Sequence, residues 1–211
     1  MARRSGGRER GVSLIELMIV VAVTLVVAAM AFPSLINATY NMRLRSSAYE
    51  LSGMAQATRM QAIRANKPYS LCYGTVDGAT MAWASETCGT RPAANEQTVQ
   101  LGSNVSVVTT TGGTPTGVGA ATLGFMPPPA GSTLATTNPM FSPRGLPCYR
   151  SSVTALCNTI LSTGLGDPAV KYLLYVTDRR PIGANGWAAI GISPAGKVQV
   201  YVYGGTTWNK G

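Results

Sequence analysis

The sequence contains no histidine and has few charged residues, which make up 12% of the chain. Histidine is the most common general base and metal ligand, so its absence removes the usual catalytic and zinc-binding arrangements. The hydrophobic fraction of 45% is normal for a folded protein. Lys and Arg (17) outnumber Asp and Glu (8), giving a net charge of +9, which favours anionic partners such as DNA or lipid headgroups without selecting one.

Other enzyme patterns are missing or incomplete. The sequence has no G-x-S-x-G elbow, and the acids beyond residue 68 are scattered. Residues 191–197 satisfy G-x-x-x-x-G-K, but Val198 stands where a phosphate-binding loop has Ser or Thr, and a strand pattern follows instead of a helix. We therefore predict a hairpin turn there, and a chain that is not an enzyme and holds no cofactor or metal.

Four cysteines lie beyond the apolar N-terminal segment, and none forms a Cys-x-x-Cys pair. An even number fits disulfides in an oxidising compartment, with four free buried thiols as the alternative. Three pairings exist. We favour Cys72–Cys88 and Cys148–Cys157, because each closes a local loop that contains turn residues.

The N-terminal segment combines a basic stretch, Arg3 to Arg10, with an apolar run from Val12 to Ile36. Glu16 interrupts the run, and Pro33 lies near its end. The run is long enough to cross a bilayer as a helix, and the preceding arginines predict a cytoplasmic N-terminus.

Three interpretations of this segment compete. The first is a single-pass anchor. The second is a secretory signal peptide, because Ala29-Met30-Ala31 resembles a cleavage site that would release the chain at Phe32. Neither explains Glu16, a carboxylate that costs about 2.5–3.5 kcal/mol at the centre of a membrane helix and less near its end.

The third interpretation explains this carboxylate. The segment Gly11-Val12-Ser13-Leu14-Ile15-Glu16-Leu17-Met18 closely resembles the prepilin signal of type IV pilins and type II secretion pseudopilins. The resemblance implies that residues 1–11 are a leader, that prepilin peptidase cuts after Gly11, and that Val12 becomes the N-methylated first residue. Val12 departs from the phenylalanine that is usual there. Glu16 would pair with the N-terminus of a neighbouring subunit, since a buried carboxylate is tolerated opposite a buried ammonium.

The same resemblance implies partners and a location. The partners are other pilins or pseudopilins, prepilin peptidase, the inner-membrane assembly platform and membrane lipid. The chain would cross the bacterial inner membrane once, with its head in the periplasm, and then enter a pilus or pseudopilus. Residues 12–36 form the membrane and assembly segment in this scheme.

A helical pattern continues beyond the apolar run through residues 37–67. Apolar or small residues recur at spacings of three and four, which predicts one buried face of an amphipathic helix: Leu44, Ala48, Leu51, Ala55, Thr58 and Ala62. Pro68 ends the pattern, so one helix is predicted from about Leu14 to Asn66, with Pro33 kinking or loosening it.

Residues 68–211 are predicted to form a β-rich head. Strand patterns cover residues 69–73, 105–110, 170–177, 187–193 and 197–203, with a short strand at 123–125 inside a Gly- and Pro-rich loop. Two Ser-Pro-x-Gly sequences, at 142–145 and 193–196, predict type I turns. The predicted class is α+β, a long N-terminal helix packed on antiparallel sheet. The turn motif Phe141–Gly145 and the hairpin Trp187–Tyr203 resemble the GspH/FimT group of minor pilins and pseudopilins.

Two function hypotheses follow. The first is a minor pilin or pseudopilin that initiates or caps a filament. The alternative is a binding subunit that captures DNA or a surface, since some FimT-type pilins take up DNA through loop arginines. The nearest match is Arg179-Arg180, with Lys197 and Lys210 expected nearby. A solvated turn with ordinary surface arginines explains the same residues.

Overall fold

The computed structural model describes residues 13–108, 138–150, 156–159, 172–180 and 184–211. The described elements are one helix and ten short strands. They are α1 Leu14–Ala65, β1 Tyr69–Val76, β2 Ala79–Ser85, β3 Thr98–Gln100, β4 Val105–Val108, β5 Met140–Phe141, β6 Pro147–Cys148, β7 Tyr172–Asp178, β8 Gly186–Ile192, β9 Val198–Tyr203 and β10 Trp208–Lys210. The α+β class is confirmed, with the helix packed against antiparallel strands.

Helix α1 has 52 residues and ends as its sequence predicts. Asn66 adopts a left-handed backbone conformation, with φ of 51°. The Lys67 amide donates to the Ala62 carbonyl at 3.2 Å and the Asn66 amide to the Ile63 carbonyl at 3.3 Å. This is a Schellman termination, which Asn tolerates better than most residues, and Pro68 prevents further helix.

The chain divides into two compact units, Met1–Thr39 and Tyr40–Gly211. Within the described residues, the first unit consists of the N-terminal part of α1. The second unit contains the rest of α1 and all of the described strands.

The strands of the second unit form two antiparallel sheets. Sheet A has the order β3-β2-β1-β5-β6, and sheet B has the order β10-β9-β8-β7-β4. All six residues of the predicted helical stripe are fully buried in this unit, with exposures of 0–1%. They pack in one core with side chains from both sheets, among them Leu71, Trp83, Phe141, Leu174 and Ile190.

The predicted strands of sheet B agree with the structure to within one or two residues at the described ends. β7, β8 and β9 pair in sequence order, with Asp178 opposite Gly186 and Ile192 opposite Val198. The predictions for residues 109–110, 123–125 and 170–171 fall outside the described residues.

The sequence prediction missed one hairpin. β1 continues to Val76, and Asp77-Gly78 turns directly into β2, with Val76 paired to Ala79. Both turn residues have positive φ, 50° and 82°, as a two-residue type I′ turn requires. The Asp-Gly dipeptide was the available signal. Strands β3, β5, β6 and β10 have two or three residues each and were also missed.

Candidate functional site

The N-terminal part of α1 exposes its apolar side chains. From Leu14 to Leu35 every large apolar side chain is about half exposed or more, from 48% at Val21 to 78% at Met30. By length and composition, this is the one helix of the described residues apolar enough to cross a membrane. Because exposed apolar area is unfavourable in water, a surface of this kind calls for lipid or neighbouring apolar helices around it.

Hydroxyl side chains in this region are few, and three of them bond their own helix. The hydroxyls of Thr24, Ser34 and Thr39 each donate to the backbone carbonyl three residues earlier, at 2.7–2.8 Å. A hydroxyl that bonds its own helix can enter an apolar environment at low cost. Glu16 is the only charged residue between Leu14 and Met42, and no described residue donates a hydrogen bond to it.

Glu16 lies in the first turn of α1. The helix begins with the Leu17 amide donating to the Ser13 carbonyl at 3.1 Å. Carboxylates are favoured at this end of a helix because the unpaired amides carry partial positive charge. Gly11 and Val12 lie outside the described residues, so the cleavage and methylation predictions stay predictions. Helix α1 is continuous through Pro33, and the predicted kink also stays a prediction.

Both favoured disulfides are present in the structure. Cys72 of β1 is bonded to Cys88, and Cys148 of β6 is bonded to Cys157, each with Cα atoms 5.5 Å apart. The first bond ties β1 to the segment that follows β2. The second holds residues 156–159 beside β6, where Tyr149 and Asn158 form an isolated bridge. The free-thiol alternative is wrong, since no described cysteine is free.

The structure does not bring the four predicted nucleic-acid residues together. Arg179 and Arg180 follow β7, at the end of sheet B where Asp178 pairs with Gly186. Lys197 precedes β9 at the opposite end of β8, about 20 Å away at roughly 3.3 Å per residue. The expected proximity of Lys197 is therefore wrong, because β8 runs the length of the sheet between them. Lys210 lies on β10 opposite Tyr201.

The two loop arginines have different environments. Arg180 is 11% exposed and its Nε lies 3.1 Å from Oδ1 of Asp178, which is 1% exposed. Its Nη2 also donates to the Asn41 side chain on α1 at 2.7 Å, and the Gly186 amide donates to the same Asp178 carboxylate. Arg180 thus joins the β7–β8 loop to the helix. The sequence offered no signal for Asn41 in this role. Arg179 is exposed, and DNA contact stays a prediction.

The two Ser-Pro-x-Gly turns form as predicted and meet at α1. In each turn the glycine amide donates to the serine carbonyl at 2.8 Å, and Gly145 and Gly196 have φ of 74° and 77°. A side chain at Gly196 would lie 2.7 Å from the Gly145 carbonyl oxygen and 3.1 Å from Arg59 Cζ. Both turns therefore need glycine, for their backbone angle and for the close approach. The G-x-x-x-x-G-K sequence is a hairpin turn followed by β9, as predicted.

Arg59 is a residue that the sequence did not distinguish from other helix arginines. Its Nη1 donates to the Gly196 carbonyl at 3.1 Å, and its buried Nε has no hydrogen-bond partner among the described residues. Among the described residues, no group of three His, Cys, Asp or Glu side chains could hold a metal ion. The expectation of a chain without catalysis or cofactor stays a prediction.

Comparison with known proteins gives one match. The family described as "Prokaryotic N-terminal methylation motif" matches residues 6–32. No curated protein and no solved structure matches the chain. The matched residues contain Gly11, Val12 and Glu16 and end within the exposed part of α1. Together with a long apolar helix and an antiparallel β-rich head, the methylation motif supports a type IV pilin-like protein that prepilin peptidase processes and that assembles with other pilins.

Proposed function

We propose that this chain is a minor pilin or pseudopilin that initiates or caps a type IV pilus or a type II secretion pseudopilus. The observation that carries the proposal is the exposed apolar surface from Leu14 to Leu35, with Glu16 in its first turn and the methylation motif across it. In this scheme residues 1–11 are the leader, 12–36 the membrane and assembly segment, 37–67 the amphipathic half of the helix, and 68–211 the head. The turn motif at residues 141–145 and the hairpin at residues 187–203 favour the GspH/FimT group as the subgroup of this chain.

Assembly requires the newly made amine of Val12 to lose its contact with water as the helix enters a filament. A carboxylate at Glu16 of a neighbouring subunit compensates that buried charge. The remaining apolar side chains of the segment exchange lipid for the helices of adjacent subunits. The inner-membrane platform would carry out this transfer, with the head on the periplasmic side, where the two disulfides form.

The mass of the mature N-terminus tests the proposal. The chain is isolated from membranes of a host that expresses prepilin peptidase, and its N-terminal peptide is measured by mass spectrometry. A methylated peptide that begins at Val12 is expected. A peptide that begins at Phe32 would overturn the proposal, since the chain would then lack its assembly segment.

A matched pair of variants makes this test specific. Gly11→Val adds a branched side chain directly before the predicted cut and is expected to leave the full leader in place. Gly7→Val places the same change inside the leader, four residues earlier, and is expected to leave cleavage intact. Equal processing of the two variants would contradict a cut at Gly11.

A further inference from the structure

A positively charged cavity of about 320 Å³ lies between α1 and the turn at residues 193–196, near the lower limit of ligand pockets. Its described lining comes from one helix segment and one turn: Gln56, Arg59, Met60, Ala195, Gly196, Lys197 and Val198. None of these residues is acidic, and two are basic.

The two basic side chains have donors available. Arg59 uses Nη1 for the Gly196 carbonyl, and its Nη2 donates to no described residue. Lys197 is exposed, and its ammonium likewise contacts no acceptor among the described residues. Arg144 is an exposed residue of the other turn, which abuts the lining turn at Gly196 and Gly145. By contrast, three other described basic side chains of the second unit have acids or amides as partners: Lys67, Arg91 and Arg180.

The arrangement around Arg59 restricts the kind of anion. One N–H of Nη1 is engaged by the Gly196 carbonyl, and Nε is buried next to Gly145 and Gly196, so Arg59 has Nη2 and the second N–H of Nη1 left for an anion. Lys197 supplies a compact charge with three donors on a flexible stem. Two cationic groups favour an anion with more than one charge and with acceptor oxygens that point in several directions, such as a phosphate, over a singly charged planar carboxylate.

We propose that this cavity, which we call the Arg59–Lys197 cavity, binds a phosphate group, either free or esterified to a small ligand. The site holds whether or not the chain assembles through its N-terminal helix, because all of its residues belong to the second unit. It is also separate from Arg179 and Arg180, at the other end of sheet B.

Titration of the full-length protein in nonionic detergent tests the proposal. The Arg59 Nε–H resonance is followed by NMR while inorganic phosphate is added at constant ionic strength, with chloride, sulfate and acetate as parallel titrations. A saturable shift with phosphate, at concentrations well below those of chloride and acetate, is expected, and sulfate, also a tetrahedral dianion, should occupy the same donors. No shift, or an equal response to acetate, would overturn the site and leave Arg59 with only its contact to Gly196.

Two lysine variants provide the matched comparison. Lys197→Ala removes one donor from the cavity and is expected to weaken phosphate binding about tenfold, as for the loss of one charged hydrogen bond. Lys210→Ala removes the same charge from β10 and is expected to leave binding unchanged. Equal losses in both would show a diffuse charge effect and contradict the site.

A parallel titration with glycerol 3-phosphate identifies the source of the phosphate. Binding at least as tight as that of inorganic phosphate would indicate a group carried on a larger ligand. Binding of inorganic phosphate alone would indicate the free ion. Both results support the phosphate site, and a failure of both phosphates to bind overturns it without affecting the N-terminal mass measurement.

Discussion

The two halves of α1 have the same backbone and opposite surroundings. From Leu14 to Leu35 the apolar side chains are exposed on all faces, whereas from Leu44 to Ala62 one stripe is fully buried and the other faces are mostly exposed. An apolar surface all round is typical of a helix in lipid or between other helices, and a single stripe is typical of a helix on its own core. The first half is therefore built for intermolecular contact, and the second for stability of the head.

The largest effect is expected at Glu16, in the half of α1 that is proposed to assemble with other subunits. Glu16→Gln keeps the size of the side chain but removes the charge proposed to pair with a neighbouring N-terminus. We expect normal processing and an unchanged head, but near-complete loss of the chain from sheared filaments, measured by quantitative immunoblotting of filament and membrane fractions.

Glu50→Gln is the control for that experiment. It makes the same change on the same helix, in the half that packs on the head, where the one described donor to Glu50 is Ser46 at 3.1 Å. It should enter filaments normally. If Glu16→Gln entered them equally well, the first half would not depend on its carboxylate.

The second prediction concerns the buried ion pair that joins the β7–β8 loop to α1. Asp178→Asn leaves Arg180 mostly buried without its counter-charge, and we expect a loss of about 3 kcal/mol in the free energy of unfolding. Tryptophan fluorescence during denaturation measures it, because Trp83, Trp187 and Trp208 all lie in the second unit.

An exposed pair supplies the control for Asp178. Asp77 and Arg91 are 2.7 Å apart, with 71% and 66% of their side chains exposed. Asp77→Asn should therefore cost about 0–1 kcal/mol. Equal costs for the two substitutions would mean that Asp178 and Arg180 do not stabilise the head through burial of their charges.

The third prediction tests the buried stripe itself. Leu51 is 0% exposed, so Leu51→Ala should destabilise the head by about 2–5 kcal/mol through lost burial and a residual cavity. Met60→Ala, at a position 48% exposed on the same helix, should change stability by no more than about 0.5 kcal/mol. The same unfolding measurement applies, and similar losses in both variants would contradict the assignment of one buried face.

The smallest effect is expected at Tyr73 of β1. Its buried hydroxyl has no hydrogen-bond partner in the described part of the chain, and burial raises the pKa of Tyr73 to about 12. Because the unfolded chain ionises near pH 10, the folded state retains a proton that the unfolded state loses, so stability falls as the pH rises from about 10 to 12. Tyr73→Phe should be close to neutral at pH 7 and lose less stability than the parent above pH 10.

Unfolding measured at pH 7, 10 and 11 checks this prediction. Tyr69→Phe is the control, because the Tyr69 hydroxyl contacts Glu86 at 3.4 Å in an exposed setting. Parallel pH curves for the parent and Tyr73→Phe would contradict the role of burial at Tyr73.

How well the sequence predicts each part of the head depends on how far apart in the sequence the interacting residues lie. The helix end at Asn66, the two Ser-Pro-x-Gly turns and the alternating strand β9 depend on neighbouring residues, and the sequence predicted each of them. The Asp77-Gly78 hairpin has a local signal too, but the Ala-rich sequence of β2 contains few of the residues that favour strands. Strands of two or three residues, such as β5 and β6, form because tertiary packing places them beside a partner.

The candidate sites are likewise of two kinds: some lie within one segment of the sequence, and others join distant residues. One segment contains, in order, a basic stretch, Gly11, Glu16 and a long apolar run, so the sequence by itself determined that this chain carries a prepilin-like N-terminus. The stripe from Leu44 to Ala62 likewise determined which face of the helix the head covers. Only the tertiary structure decided that Lys197 lies far from Arg179, that Arg180 pairs with Asp178 and Asn41, and that two distant turns meet at Arg59. Those contacts join residues up to 139 positions apart, and their geometry depends on how the strands pair and pack.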